Sequence, residues 1–123
     1  MNKVYLDNAA TTPLSEEVID AMVATMKMNF GNPSSTHSFG QEAKILIENV
    51  RRQVADYLHV TPAEIIFTSC GTESNNMIIK SSVEHLGVER IISSPLEHKC
   101  VSESVLDMKN RKGVEVNYIR PNE

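Results

Sequence analysis

The sequence predicts an α/β fold in which N-terminal helices are followed by alternating strands and helices in a mainly parallel sheet. Three observations carry that expectation. Apolar residues recur at helical spacing through roughly the first half of the chain. From the "TPAE" at 61–64 onward, short apolar runs alternate with longer amphipathic stretches. Small polar residues stand where the runs give way to the helical pattern, most clearly in "IIFTSCGTESNNMIIK" at 65–80. Strands separated by helices of this length pair in parallel, because a parallel connection needs a crossover that the helix supplies.

Each element has a local reason. Ser15 followed by Glu16 and Glu17 suits a helix start, and Val18, Met22 and Met26 then share one face up to the breaker cluster at 29–33. A long loop through "GNPSSTHS" follows. Ser38 with Gln41 three residues on forms a capping-box pattern, and Ala43, Leu46, Val50, Val54 and Tyr57 mark one face of a second helix, with Glu48, Arg51 and Arg52 elsewhere on the wheel. The "TPAE" segment is a short capped turn leading into "IIFTS", read as a strand over 65–68. A helix then starts near Thr72 and stops at Gly87. "RIISS" reads as the second strand, "EHKCVSESVLDMKN" as the next helix and "VEVNYI" as the third strand. The expected organisation is an N-terminal arm, loop and two helices over 1–60, then the start of an α/β domain over 61–123.

Composition removes several function classes. With 123 residues, 41% hydrophobic and 23% charged, the chain has the make-up of an ordinary folded domain. Twelve basic residues against 16 acidic ones give a net charge of -4 without a basic block, so no nucleic-acid partner is expected. Runs such as Ile45-Leu46-Ile47 are too short to span a bilayer and "MNKVYLDNAATT" lacks the apolar core of a signal peptide, which excludes a membrane role and points to the cytoplasm. Cys70 and Cys100 are too few for a disulfide framework and are expected as free thiols.

In parallel sheets, ligands collect beyond the carboxyl ends of strands, where the loops enter helices. Two segments are expected there: 69–72 and 94–99. A small-residue turn at a helix start leaves amide N–H groups unpaired, concentrates the positive end of the helix dipole and adds the Ser69 and Thr72 hydroxyls, so the first segment reads as an anion cradle. The structural alternative is that Thr72 only caps its helix while Gly71 relieves a tight turn. The second segment brings His98 to the start of the next helix on the same sheet edge. A single histidine is commonly a packing or surface residue, and its place beside the cradle raises the functional option. His37, His59 and His85 show no metal-ligand spacing.

Four blocks, "YLDNAATTPLSEEV", "FGNPSSTHSFG", "EIIFTSCGTESNNMIIK" and "IISSPLEHKCV", together resemble the cysteine desulfurases, pyridoxal-phosphate enzymes of the class V aminotransferase group. They occur in the family's order and cover essentially the whole chain. The resemblance implies that the fold is part of the large domain of the type I pyridoxal-phosphate fold. It also implies that Gly71 and Thr72 hold the cofactor phosphate, and that His98 stacks over the pyridine ring and serves substrate binding and proton transfer. An imidazole suits both tasks, since it titrates near neutrality and has a flat face. Asn8 and His37 fall in blocks near the family's active-site entrance and dimer region. For these two, a turn or cap role is the favoured expectation.

The chain departs from the pattern in two respects. Many family members have Gly-Ala-Thr where this chain has Cys70-Gly71-Thr72. Neither Cys70 nor Cys100 matches the family's sulfur-accepting cysteine, and each is expected as a small buried thiol. The family's Schiff-base lysine, the aspartate at the pyridinium nitrogen, the carboxylate-binding arginine and the catalytic cysteine lie outside the matched stretch. None of Lys3, Lys27, Lys44, Lys80, Lys99, Lys109 or Lys112 sits in the lysine motif.

The resemblance therefore implies the N-terminal portion of a cysteine desulfurase that turns L-cysteine into L-alanine and an enzyme persulfide, for iron-sulfur cluster assembly with a sulfur-acceptor protein. The 123 residues alone are expected to be inactive. Two alternatives stay open: a fragment of another class V aminotransferase or of a selenocysteine lyase, and a non-catalytic, self-associating α/β module. A sheet ending after its third strand would expose an edge, so a homo-oligomer is expected.

Overall fold

The structure is a computed structural model that describes residues 3–121. It forms two compact units that divide between Ile65 and Ile66.

In the first unit, α1 spans Glu16–Met28. Ser15 caps it with extended backbone, and Glu16 and Glu17 at the start and Lys27 at the end complement the helix dipole. The backbone amide of Glu17 itself and the Ser15 hydroxyl hold the Glu17 carboxyl below its ordinary range. Val18, Met22 and Met26 do share a face, and all three are exposed.

The second helix, α2, spans Ser38–Leu58. Its cap is His37, one residue earlier than the Ser38 expectation, because the imidazole Nδ1 accepts the Gly40 amide at 3.4 Å. Gln41 does not reach back to close a capping box; its amide donates to the Thr36 carbonyl at 3.0 Å. Asn32 folds the preceding loop by accepting the Ser34 amide through Oδ1 and the Ser35 amide through its carbonyl, both at 2.9 Å. That loop lies so close to α2 that a Cβ on Gly40 would stand 2.5 Å from the Asn32 carbonyl oxygen. The Phe30 and Phe39 rings pack with centroids 5.5 Å apart. Of the predicted stripe Ala43 is buried, whereas Val50 and Tyr57 are exposed; Ala55, outside that stripe, is also buried.

After α2 the chain turns at His59 in the left-handed region (φ 57°) and makes a 3-10 turn over Pro62–Glu64. The Thr61–Glu64 capping box is complete, the Glu64 carboxylate taking the Thr61 amide at 2.8 Å. Arg51 joins α2 to the exit of this turn by donating to the Ile65 carbonyl.

In the second unit, α3 spans Gly71–Leu86, β1 Arg90–Ser93, α4 Lys99–Lys112 and β2 Glu115–Tyr118. The strands pair in parallel, with Arg90 opposite Glu115 and Ser93 opposite Tyr118. Arg90 reinforces the register by donating to the Glu115 carboxylate at 3.0 Å. Gly87 and Gly113 end the two helices in the left-handed region at φ 68° and 71°, a conformation that glycine adopts without Cβ strain.

The strand expected at 65–68 is absent. Residues 65–68 run without ladder partners, and Ile66 and Phe67 are 63% and 48% exposed. An apolar run becomes a strand only when a neighbouring strand takes its amides, and the sheet among the described residues has only β1 and β2. The α/β class with a small parallel sheet stands as predicted.

The core of this unit is the face of α4 carrying Ser104, Val105 and Met108, with Val114 from the loop into β2. The helix packs against α3, and Lys80 to Asp107 (3.6 Å) and Lys112 to Glu84 (3.6 Å) bridge the two along their exposed seam. No helix of the described residues is long and apolar enough to cross a membrane.

Candidate functional site

The chain from Thr68 to Ser74 is held by its own side chains. The Thr68 and Ser74 hydroxyls meet at 2.7 Å, and Thr68 Oγ1 donates to the Cys70 carbonyl at 3.2 Å. Ser69 gives both its amide (2.6 Å) and its hydroxyl (2.7 Å) to the Glu73 carboxylate, which these two donors, the amide first, hold below the usual carboxylate range. Cys70, not Thr72, is the N-cap of α3, and it makes no side-chain cap hydrogen bond. The first-turn amides of α3 are therefore left without a side-chain cap bond. A Cβ on Gly71 would meet nothing within 4 Å, so the space over that backbone is open.

Cys70 is exposed rather than buried, because no described residue covers the head of α3. The amide of Glu73 at that helix start, and then the Ser69 hydroxyl, lower the Cys70 thiol from its ordinary value, with the Glu73 charge opposing them.

At the end of β1, Ser94 turns the chain by accepting the Leu96 amide on its hydroxyl at 3.2 Å and the Glu97 amide on its carbonyl at 3.3 Å. His98 then caps α4: its Nδ1 accepts the Cys100 amide at 3.2 Å and lies 3.0 Å from the Cys100 sulfur. With Nδ1 so engaged, Nε2 is the nitrogen left to face a ligand. Cys100 is half-buried, and Asn75 Nδ2 donates to its sulfur at 3.2 Å. Cys100 therefore shares its surface between helix packing and the site.

Thr72 and His98 line one concavity of about 610 Å³ between the N-terminal halves of α3 and α4. The other walls are Asn76, Lys80, Lys99, Cys100, Glu103, Ser104 and Asp107. Sequence reading overlooked most of these, although their spacing is regular: Thr72, Asn76 and Lys80 recur every fourth residue, as do Lys99, Glu103 and Asp107. Lys80 is paired with Asp107, while Lys99 has no ion-pair partner among the described residues. The cavity thus combines the Thr72 hydroxyl, the His98 imidazole and the cations Lys80 and Lys99 with the carboxylates of Glu103 and Asp107, a wall whose donors fit a phosphate and whose imidazole face fits a flat ring.

Asn8 and His37 belong to the first unit. Asn8 sits in the turn closed by the Ala10 amide on the Asp7 carbonyl at 3.1 Å, and His37 caps α2. Among the described residues, no group of three or more His, Cys, Asp and Glu gathers as a metal site.

Comparison with known proteins gives this arrangement a lineage. The family model for aminotransferase class-V matches residues 4–123. The cysteine desulfurase IscS of Pseudomonas savastanoi pv. phaseolicola is 44% identical over 98% of this chain, which covers 31% of that protein. A solved NifS-like protein superimposes with a TM-score of 0.79 at 39% identity, over 91% of this chain and 31% of that one. DndA from Streptomyces lividans gives a TM-score of 0.74 at 38% identity, over 94% and 33%. The chain spans about a third of the length of the curated relatives it matches. Its small parallel sheet and flanking helices are part of the type I pyridoxal-phosphate fold. On this evidence the chain belongs to the aminotransferase class-V family and is homologous to the N-terminal part of the cysteine desulfurases.

Proposed function

We propose that these residues form the phosphate and ring side of the cofactor site of a pyridoxal-phosphate-dependent cysteine desulfurase, which takes sulfur from L-cysteine to leave L-alanine and an enzyme persulfide. The observation that carries the reading is that Thr72, at the head of α3, and His98, at the head of α4, line one concavity. The names of the relatives, cysteine desulfurases, favour this reaction over transamination or selenocysteine lysis.

Gly71 and Thr72 would hold the phosphate through the first-turn amides of α3 and the Thr72 hydroxyl, with Lys99 adding positive charge. Bound there, pyridoxal phosphate supplies an electron sink for bond breaking at the substrate amino acid. His98 would lie against the ring and move protons at Nε2, the nitrogen that does not accept the Cys100 amide. A sulfur-acceptor protein and a second copy of the chain belong to the same proposal. It is supported by the exposed apolar side chains of α1, Val18, Met22 and Met26, which call for cover by further protein.

The test is cofactor titration of the intact protein. Thr72→Val is expected to weaken pyridoxal phosphate binding by about 1.5–3 kcal/mol, the worth of one hydrogen bond to a charged group. His98→Ala should retain the phosphate and lose alanine release from cysteine. Unchanged cofactor affinity in Thr72→Val would reject the assignment.

A further inference from the structure

The pairing of His98 with Cys100 has a chemistry of its own. The Cys100 sulfur lies 3.0 Å from His98 Nδ1, within the reach at which a base takes a proton from a nucleophile. Asn75, from the facing helix, donates to the same sulfur at 3.2 Å. Cys100 is also the second residue of α4, a helix of 14 residues, so its sulfur stands at a helix start. Base, donor and helix start thus converge on one atom. That atom's residue is half-buried and lines the 610 Å³ cavity, which admits a reagent of a few heavy atoms.

We propose that Cys100 is a modification site, a His98-activated thiol oxidised by small hydroperoxides that enter the cavity. In the step, the thiol proton moves to His98 Nδ1 and the sulfur electron pair forms an S–O bond to one peroxide oxygen. The O–O bond breaks, and the departing oxygen takes the proton from His98 to leave as water or an alcohol. Sulfur loses two electrons in becoming a sulfenic acid, and the peroxide gains them. The site rests on the dyad and the cavity. Cys70 is the comparison: it is exposed and its thiol is lowered by the Glu73 amide, but its side-chain neighbour is the Ser69 hydroxyl at 3.7 Å rather than a base, so its reactivity does not depend on His98.

The experiment exposes the intact protein to hydrogen peroxide with dimedone, a sulfenic-acid trap, and follows both cysteines by peptide-resolved mass spectrometry. The wild-type protein should form the adduct at Cys100. His98→Asn, which keeps a side-chain acceptor for the Cys100 amide but removes the base, should slow that adduct about tenfold and leave Cys70 unchanged. A second arm needs no variant: Cys100 should react about tenfold faster with iodoacetamide in the native protein than in urea. Absence of the Cys100 adduct, equal rates in His98→Asn, or native labelling no faster than in urea would each overturn the proposal.

Discussion

Asn75 of α3 donates to the sulfur of Cys100 of α4 at 3.2 Å, a side-chain hydrogen bond that links the two helices at the wall of the cavity. The same sulfur faces His98, so a residue on one helix helps set the imidazole at the head of the other. Asn75→Ala is expected to lower the stability of the protein by about 0.5–1.5 kcal/mol, the usual net worth of one such bond. Urea unfolding measures it, and an unchanged midpoint would mean that the bond contributes nothing.

Gly40 touches the loop before α2 without room for a side chain. Gly40→Ala would put a methyl 2.5 Å from the Asn32 carbonyl oxygen and 2.6 Å from that of Ser35, both backbone atoms. The loop must move or α2 must shift, and a loss of about 1–3 kcal/mol follows from the overpacking. Thermal unfolding by circular dichroism checks this, with exposed Gly87 left as it is for comparison.

Glu73 ties Ser69 to the start of α3 as a carboxylate, and its folded value lies below that of the unfolded chain. A depressed acid contributes stability that is present above its unfolded value, about 4.3, and is lost as pH falls from there through the folded value. Glu73→Gln should therefore reduce the loss of stability between pH 5 and about pH 3 and change nothing in the slope near neutrality. Parallel urea titrations at these pH values read the difference. An unaltered acid slope would show that Glu73 does not couple to folding.

Met108 is fully buried in the packed face of α4. Met108→Ala should cost about 2–5 kcal/mol through lost burial and the cavity left behind. Equilibrium unfolding tests it, and a loss below 1 kcal/mol would mean that the site collapses around the smaller side chain.

The local elements were legible in the sequence because their causes are local. Ser15 with its acidic neighbours, the Thr61–Glu64 box, the Gly87 and Gly113 stops and the apolar alternation in "VEVNYI" each act within a few residues, and each element formed close to its expected place. The four family blocks also stood in the sequence, and the family comparison agrees with them.

Tertiary structure decided what depends on partners distant in the chain. The run at 65–68 has strand-like residues, but β pairing needs another strand's amides, and no strand of the described residues supplies them. The cap of α2 passed to His37 because the loop carrying Asn32 and Ser35 packs on Gly40, a contact that spacing alone does not reveal. Thr72 and Cys100 are separated by 27 intervening residues, and Asn75 and Cys100 by 24. Only the packing of α3 on α4 brings Thr72 and Cys100 to one cavity and Asn75 to the Cys100 sulfur, since hydrogen bonds act over a few ångströms whatever the separation along the chain.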